Sequence, residues 1–209
     1  VNVAMPRSVT YGDRTFNTGI LKMPVTGRVR LGRLNLEGDG QADLKNHGGP
    51  DRALHLYPAE HYDYWRTTLR MPELAPGAFG ENLTAGGVTE QTVHVGDVFR
   101  VGTAVVQITQ PRIPCYKLDL RFGRADLQKL YLTSGRIGYH LRVLEEGDIG
   151  AGDAIERTRV DPAGITVAEM SEILHVRTND LAAARRALTV EALAPVWRSW
   201  FIERINGTD

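Results

Sequence analysis

The sequence has few of the residues from which covalent or multi-thiolate frameworks are built. Its one cysteine, Cys115, excludes an intrachain disulfide and any zinc or iron–sulfur site that needs several cysteines. A chain so poor in cysteine fits reduced, cytoplasmic life. It also lacks an excess of charge of either sign, because 25 basic side chains balance 25 acidic ones. That balance argues against a general nucleic-acid or membrane-surface binder. No apolar run approaches the ~20 residues of a membrane-spanning helix. The first residues carry no basic stretch followed by an apolar one, so they do not read as a secretory signal. Residues 1–4, ahead of Met5, are set aside as a remnant outside the fold. Glycine-rich phosphate loops, zincin helices and Gly-x-Ser-x-Gly elbows are missing too.

What is there centres on Gln110-Pro-Arg-Ile-Pro-Cys-Tyr-Lys-Leu118. Two prolines fix the backbone and remove donors, so the stretch reads as a stiff extended loop leaving the strand-like run 104–110. Arg112 and Lys117 lie close to the thiol in sequence, and cations favour the thiolate, which is both a nucleophile and a soft-metal ligand. An unpaired cysteine is also a common inert core residue. The residues by themselves leave both readings open.

Along the chain, residues 27–36 alternate, with Val29, Leu31, Leu34 and Leu36 on the buried side and a break in phase at Gly32-Arg33. Residues 37–52 are polar and glycine-dense, and read as an ordered loop. A short strand at 53–57 leads into a helix from Pro58 to about Leu69, with Tyr62, Trp65 and Leu69 on one stripe. Residues 92–101 and 104–108 form a hairpin whose Gly102-Thr103 suits a type II′ turn. Asp126 caps a short helix ended by Gly135, and 137–144 is another strand with Tyr139, Leu141 and Val143 inward. Many short strands with few helices between them predict a mainly β fold, a barrel or sandwich. After Asp161-Pro162 the periodicity turns helical. Thr166 to Glu169 is a capping box, Asn179 caps a second helix, and 191–205 makes a third. Fewer than fifty residues rarely hold a core alone, so this region docks on the barrel or on a partner. The division is therefore 1–160, a β-barrel domain, and 161–209, a three-helix domain.

Two further groupings are weaker. His47, His55 and His61 can be drawn as a metal triad, but their spacing matches no helical pair, and structural roles explain them as well. Glycines 48, 49, 77, 80, 86 and 87 permit close approach of a ligand, and their amides are candidates to cradle an anion, although such glycines often simply make turns.

Four blocks now appear in order: Lys45-Asn-His-Gly-Gly-Pro-Asp-Arg-Ala53, Tyr57-Pro-Ala-Glu-His-Tyr62 with Tyr64-Trp65, Pro76-Gly-Ala-Phe-Gly-Glu-Asn-Leu83, and the cysteine block 110–118. Together they resemble the MOSC domain family in its YiiM-type branch, over most of residues 20–156. The helical tail is similar to that branch's three-helix extension. The resemblance implies a MOSC-type β-barrel with a few short helices, and a molybdenum cofactor, Mo bound to molybdopterin. It implies that Cys115 is the metal's protein ligand and the catalytic residue. His47, Arg52, Asn82, Arg112 and Lys117 are the cofactor-binding candidates. The implied activity is reduction of N-hydroxylated compounds (hydroxylaminopurines, hydroxylamines, amidoximes) by oxygen-atom transfer to Mo, two electrons and two protons then restoring the metal. No flavin or haem fingerprint accompanies it, so an external flavin or iron–sulfur reductase must supply electrons. The implied setting is cytoplasmic, with no nucleic acid or membrane and a homodimer left open. The alternatives are a sulfur carrier bearing a Cys115 persulfide and a non-catalytic cofactor-binding module.

Overall fold

The computed structural model describes residues 1–43 and 48–207. In chain order the strands are β1 (Asn2–Val3), β2 (Arg7–Tyr11), β3 (Arg14–Thr18), β4 (Met23–Pro24), β5 (Arg28–Leu31), β6 (Leu54–Pro58), β7 (Leu83–Ala85), β8 (Val98–Val101), β9 (Ala104–Pro111), β10 (Tyr139–Glu145), β11 (Gly147–Gly150) and β12 (Ile155–Arg159). The helices are α1 (His61–Leu69), α2 (Tyr116–Phe122), α3 (Leu127–Ser134), α4 (Val167–His175), α5 (Leu181–Ala187) and α6 (Pro195–Asn206).

Six strands form one sheet in the order β12-β8-β9-β10-β6-β7, and three two-stranded ribbons, β1–β4, β2–β3 and β5–β11, flank it. Every pairing in the sheet is antiparallel except β6 with β7. The result is a mainly β half-barrel. β9 lies at its centre and is buried along its whole length, its Val105, Val106, Ile108 and Thr109 joined by the buried polar Gln107 and Gln110. Gly102, at φ +56°, makes the β8–β9 turn that was read from Gly-Thr. Around the sheet, Leu31, Leu54, Val106, Ile108, Leu141 and Ile149 are almost inaccessible to solvent. Each such side chain contributes about 1.5–3 kcal/mol by leaving water.

The helical region shares this core. Ile165, Met170, Ile173, Ala184 and Phe201 belong to the same hydrophobic cluster as the strands. Backbone bonds join the two: Val95 N donates to Ile165 O at 3.0 Å, Val167 N to Val93 O at 3.0 Å, and Ala194 N to Thr109 O at 3.2 Å. The three helices therefore dock on the barrel. A second cluster, with Tyr57, Trp65, Phe79, Leu118 and Tyr131, holds α1, α2 and α3 on the other side.

Several local readings change. Residues 1–4 belong to the fold rather than lying outside it: β1 pairs with β4, and the buried Asn2 donates its backbone amide to Asn82 O at 2.7 Å. Leu34 is exposed, because the chain turns at Gly32-Arg33 and only Leu36 comes back to bridge Leu31. Pro58 ends β6 instead of opening a helix, and α1 begins at His61. Residues 92–97 lie outside the hairpin strand. Helix α3 does begin after Asp126, but that side chain pairs with Arg124. Asp119 of α2 takes the capping bond instead, from Gln128 N at 2.8 Å. Asp180, rather than Asn179, caps α5, accepting from Ala183 N at 2.9 Å. Thr166 caps α4 as expected, accepting from Glu169 N at 3.0 Å.

Candidate active site

Sheet β9 does not release the chain at Gln110. It pairs with β10 through Pro111, opposite Tyr139, so only residues 112–115 form loop before α2 starts at Tyr116. The stiff extended loop expected here is thus a four-residue link between a central strand and a helix. Both ends are held, and Cys115 is placed by regular structure on either side. Its side chain is half-buried and unbridged.

That link forms one wall of a pocket of about 290 Å³. Arg52, Asn82, Arg112, Cys115 and Lys117, far apart in sequence, all line it. His47 lies outside the described residues. Lys22, Asp39, His55, Gln110, His140 and Trp197 complete much of the wall. Four cationic side chains, Lys22, Arg52, Arg112 and Lys117, face one carboxylate, Asp39, among the described lining residues. The site is positively charged although the chain as a whole is neutral.

Each cation is held differently. Arg112 is buried, with its backbone amide on Gly138 O at 3.0 Å and its guanidinium 5.0 Å above the Tyr131 ring. Nη2 reaches Phe79 O at 3.5 Å, while the buried Nη1 has no protein partner. Lys117 lies in the first turn of α2, over the Phe16 ring, with Nζ 3.4 Å from Asn17 O. Lys22 forms a buried ion pair with Asp39. Burial lowers its pKa, and the Asp39 carboxylate opposes that shift. Burial likewise lowers the pKa of Arg52.

Asn82 is a positioning residue. Its Oδ1 accepts from His55 N at 3.0 Å, and its Nδ2 donates to Asn2 O at 3.2 Å and Asp39 Oδ2 at 2.8 Å. It thereby ties β6, the N-terminal strand and the Asp39 loop together. The residue before it, Glu81, is fully buried and accepts from Gly77 N, Phe79 N and Thr84 Oγ1 at 2.7–3.1 Å, and from the Tyr62 hydroxyl. Gly80, at φ +81°, is needed in this loop because an added Cβ would stand 2.8 Å from Ile20 Cγ1. The expected anion cradle of glycine amides is largely closed from within. Gly49 N donates to Gln41 Oε1, Gly77 N to Glu81 and Gly87 N to Glu60 Oε1, at 2.6–2.7 Å.

The histidines separate. His61 pairs with the buried Glu90 at 2.6 Å, away from the pocket wall, while His55 and His140 lie on it with ring centres 5.3 Å apart. Among the described residues no three His, Cys, Asp or Glu side chains cluster to hold a metal. Burial, then Arg112 and His140, push the His55 pKa well below the ordinary histidine value. Its Nε2, and Gln110 Oε1, are buried without a protein partner. Lys22, Asp39, Gln110, His140 and Trp197 were not singled out from sequence as site residues. A usable signal existed for two of them: Gln110 and His140 are polar positions directly opposite each other in the buried β9–β10 ladder. For Lys22 and Trp197 there was none.

The fold is thus a half-barrel with three docked helices that presents one thiol to a cationic pocket. Residues 43–156 match the MOSC domain model, and residues 165–207 match that of the YiiM-like, 3-alpha helix domain. The chain belongs to the MOSC domain family, with the YiiM-type C-terminal extension. It is 42% identical over 195 residues to protein YiiM of Escherichia coli, covering 91% of this chain and 86% of that one. The crystal structure of YiiM from Geobacillus stearothermophilus superposes with a TM-score of 0.83 at 34% identity, over 98% of this chain and 96% of that one. A reductase of Gibberella moniliformis is 36% identical over 141 residues, which span 66% of this chain but 25% of that protein. None of the described helices is long and apolar enough to cross a membrane.

Proposed function

We propose that the chain is a molybdenum cofactor-dependent reductase of N-hydroxylated compounds, with Cys115 as the thiolate ligand of the metal. The observation that carries this reading is the meeting, in one pocket, of the chain's one cysteine with four cationic side chains. Kinship to a protein named as a reductase supports a redox role.

The residues present fit the group. Its phosphate calls for cations, and Arg112, Lys117 and Lys22 supply them at the wall that carries the thiol. Its pterin edge is rich in donors and acceptors. The buried Arg112 Nη1 lacks a protein partner, a costly condition that a polar guest relieves. A thiolate suits a metal already held by dithiolene sulfurs. When bound, the cofactor supplies the two-electron removal of oxygen from an N–OH group, giving the amine and water.

The chain's own part is to bind, orient and insulate. Tyr131 beneath the Arg112 guanidinium fixes that charge in direction. Asp39 pairs with Lys22 on the pocket wall and opposes the lowering of its pKa by burial. Ile20, Phe79, Ile113 and Pro114 add apolar surface to the wall, which lowers the local dielectric and strengthens these interactions. Electrons come from a partner protein, a flavin or iron–sulfur reductase, and a cytoplasmic setting fits such an exchange.

The test is reduction of a hydroxylaminopurine by chain produced in a cofactor-competent host and supplied with an electron donor. The wild type should contain Mo and turn over, whereas Cys115→Ser should fall to background with its melting temperature unchanged. Undiminished turnover in Cys115→Ser would overturn thiolate ligation. Activity without Mo, with a removable extra sulfur on Cys115, would favour sulfur transfer instead.

A further inference from the structure

Trp197 brings the helical region into the site. It lies in the first turn of α6, lines the pocket that carries Cys115, and is half-buried, so part of its ring surface is open. Its indole Nε1 is buried without a protein partner. The placement is rigid. Ala194 N, just before α6, bonds Thr109 O of β9, and Trp197 N bonds Ala194 O at 3.0 Å. Arg142 of β10 donates to Ala192 O at 2.8 Å and pairs with Asp51 at 2.6 Å, clamping the start of α6 to the sheet. Gln110 immediately follows Thr109 in β9, lines the same pocket, and offers the unpartnered acceptor Oε1.

We propose that Trp197 and Gln110 form a recognition element for the substrate, taking the face and the N=C–N edge of a planar N-hydroxylated base or amidoxime. This rests on the reductase reading of the pocket. An indole stacks on a planar ring with little regard to its substituents. The Gln110 carbonyl is an acceptor for an exocyclic N–H on the edge of that ring. An aliphatic hydroxylamine has neither the ring nor that edge. Trp197 and Gln110 therefore set preference among N–OH compounds without taking part in the chemistry.

The experiment uses Mo-loaded protein, wild type and the variants Trp197→Phe and Trp197→Ala. Each is assayed with a hydroxylaminopurine and with an aliphatic hydroxylamine, and adenine binding is measured by calorimetry on the same samples. Trp197→Ala should raise KM for the purine and the adenine Kd by about tenfold or more, with kcat nearly unchanged. Trp197→Phe, which keeps a ring of smaller stacking area, should raise both about threefold. Activity on the aliphatic hydroxylamine and Mo content should stay within about twofold, since neither involves the stacked edge. Equal losses on both substrates, or a fall in Mo content in Trp197→Phe, would overturn the proposal by assigning Trp197 to the scaffold or the cofactor. Mo-loaded wild type that reduces neither substrate, yet binds adenine through Trp197, would overturn the reductase reading and leave the ring-binding element standing.

Discussion

Two sets of buried polar groups in this protein look alike by burial and differ in how they are partnered. Glu81, Glu90 and Asp97 are fully inaccessible, and each is enclosed by donors from the chain itself. Glu90 accepts from Ile137 N, Gly138 N and His61 Nε2 at 2.6–2.9 Å. Asp97 accepts from His94 N, Asp161 N and Arg157 Nη1 at 2.8–3.1 Å, tying the half-barrel to the start of the helical region. Around the pocket, Arg112 Nη1, Gln110 Oε1, His55 Nε2 and Trp197 Nε1 are buried without such partners. The first set holds the fold together. The second lines the pocket with donors and acceptors that the chain leaves unmatched.

Substitutions can break this distinction. The largest stability effect is expected from Asp97→Ala, which strands two backbone N–H groups and an arginine and should cost about 3 kcal/mol or more. Denaturant melts would check it, and Mo content per folded chain should be unaffected. Arg112→Met removes a buried cation whose guanidinium meets Phe79 O and the Tyr131 ring rather than a carboxylate, so the cofactor-free protein should melt at or above the wild-type temperature. Its Mo content, by elemental analysis, should drop about tenfold or more, the cost of about 1.5–3 kcal/mol for a charge-assisted bond. A stability loss like that of Asp97→Ala would move Arg112 into the first set.

A smaller effect should appear with pH. His55 is held neutral because burial lowers its pKa, so below about pH 6.5 the unfolded chain takes up a proton that the folded chain refuses. Stability of the cofactor-free protein should then fall as pH drops from that point, by up to about 1.4 kcal/mol per pH unit from this group. His175, also lowered by burial, adds a slope of the same sign. His55→Gln should flatten the fall between pH 7.5 and 5.5 in thermal melts. An unchanged slope would mean that His55 is not held neutral.

How much of this was legible beforehand follows the range of the interactions involved. Helix caps and turn glycines act over three or four residues, so Thr166, Gly102 and Gly135 could be read directly. The β-rich class and the three C-terminal helices followed from periodicity, and the cysteine block from its composition. Helix α2 could not be read, because the two prolines before Cys115 argue for extended chain and its own seven residues are too few to show a period. The partners of the pocket were hidden for a different reason. Lys22 with Asp39, Asn82 with Asn2, and Trp197 with the barrel meet only after the chain has folded across 17, 80 and more residues. Residues 1–4 show the same limit, since nothing local to them announces that Asn82 will receive the Asn2 amide.

The claim on which the functional reading depends is that the Cys115 sulfur binds molybdenum. X-ray absorption at the Mo edge, on loaded wild type and on Cys115→Ser, counts sulfur neighbours directly. The account predicts one sulfur ligand fewer in Cys115→Ser than in the wild type. The same sulfur count in both proteins would contradict it.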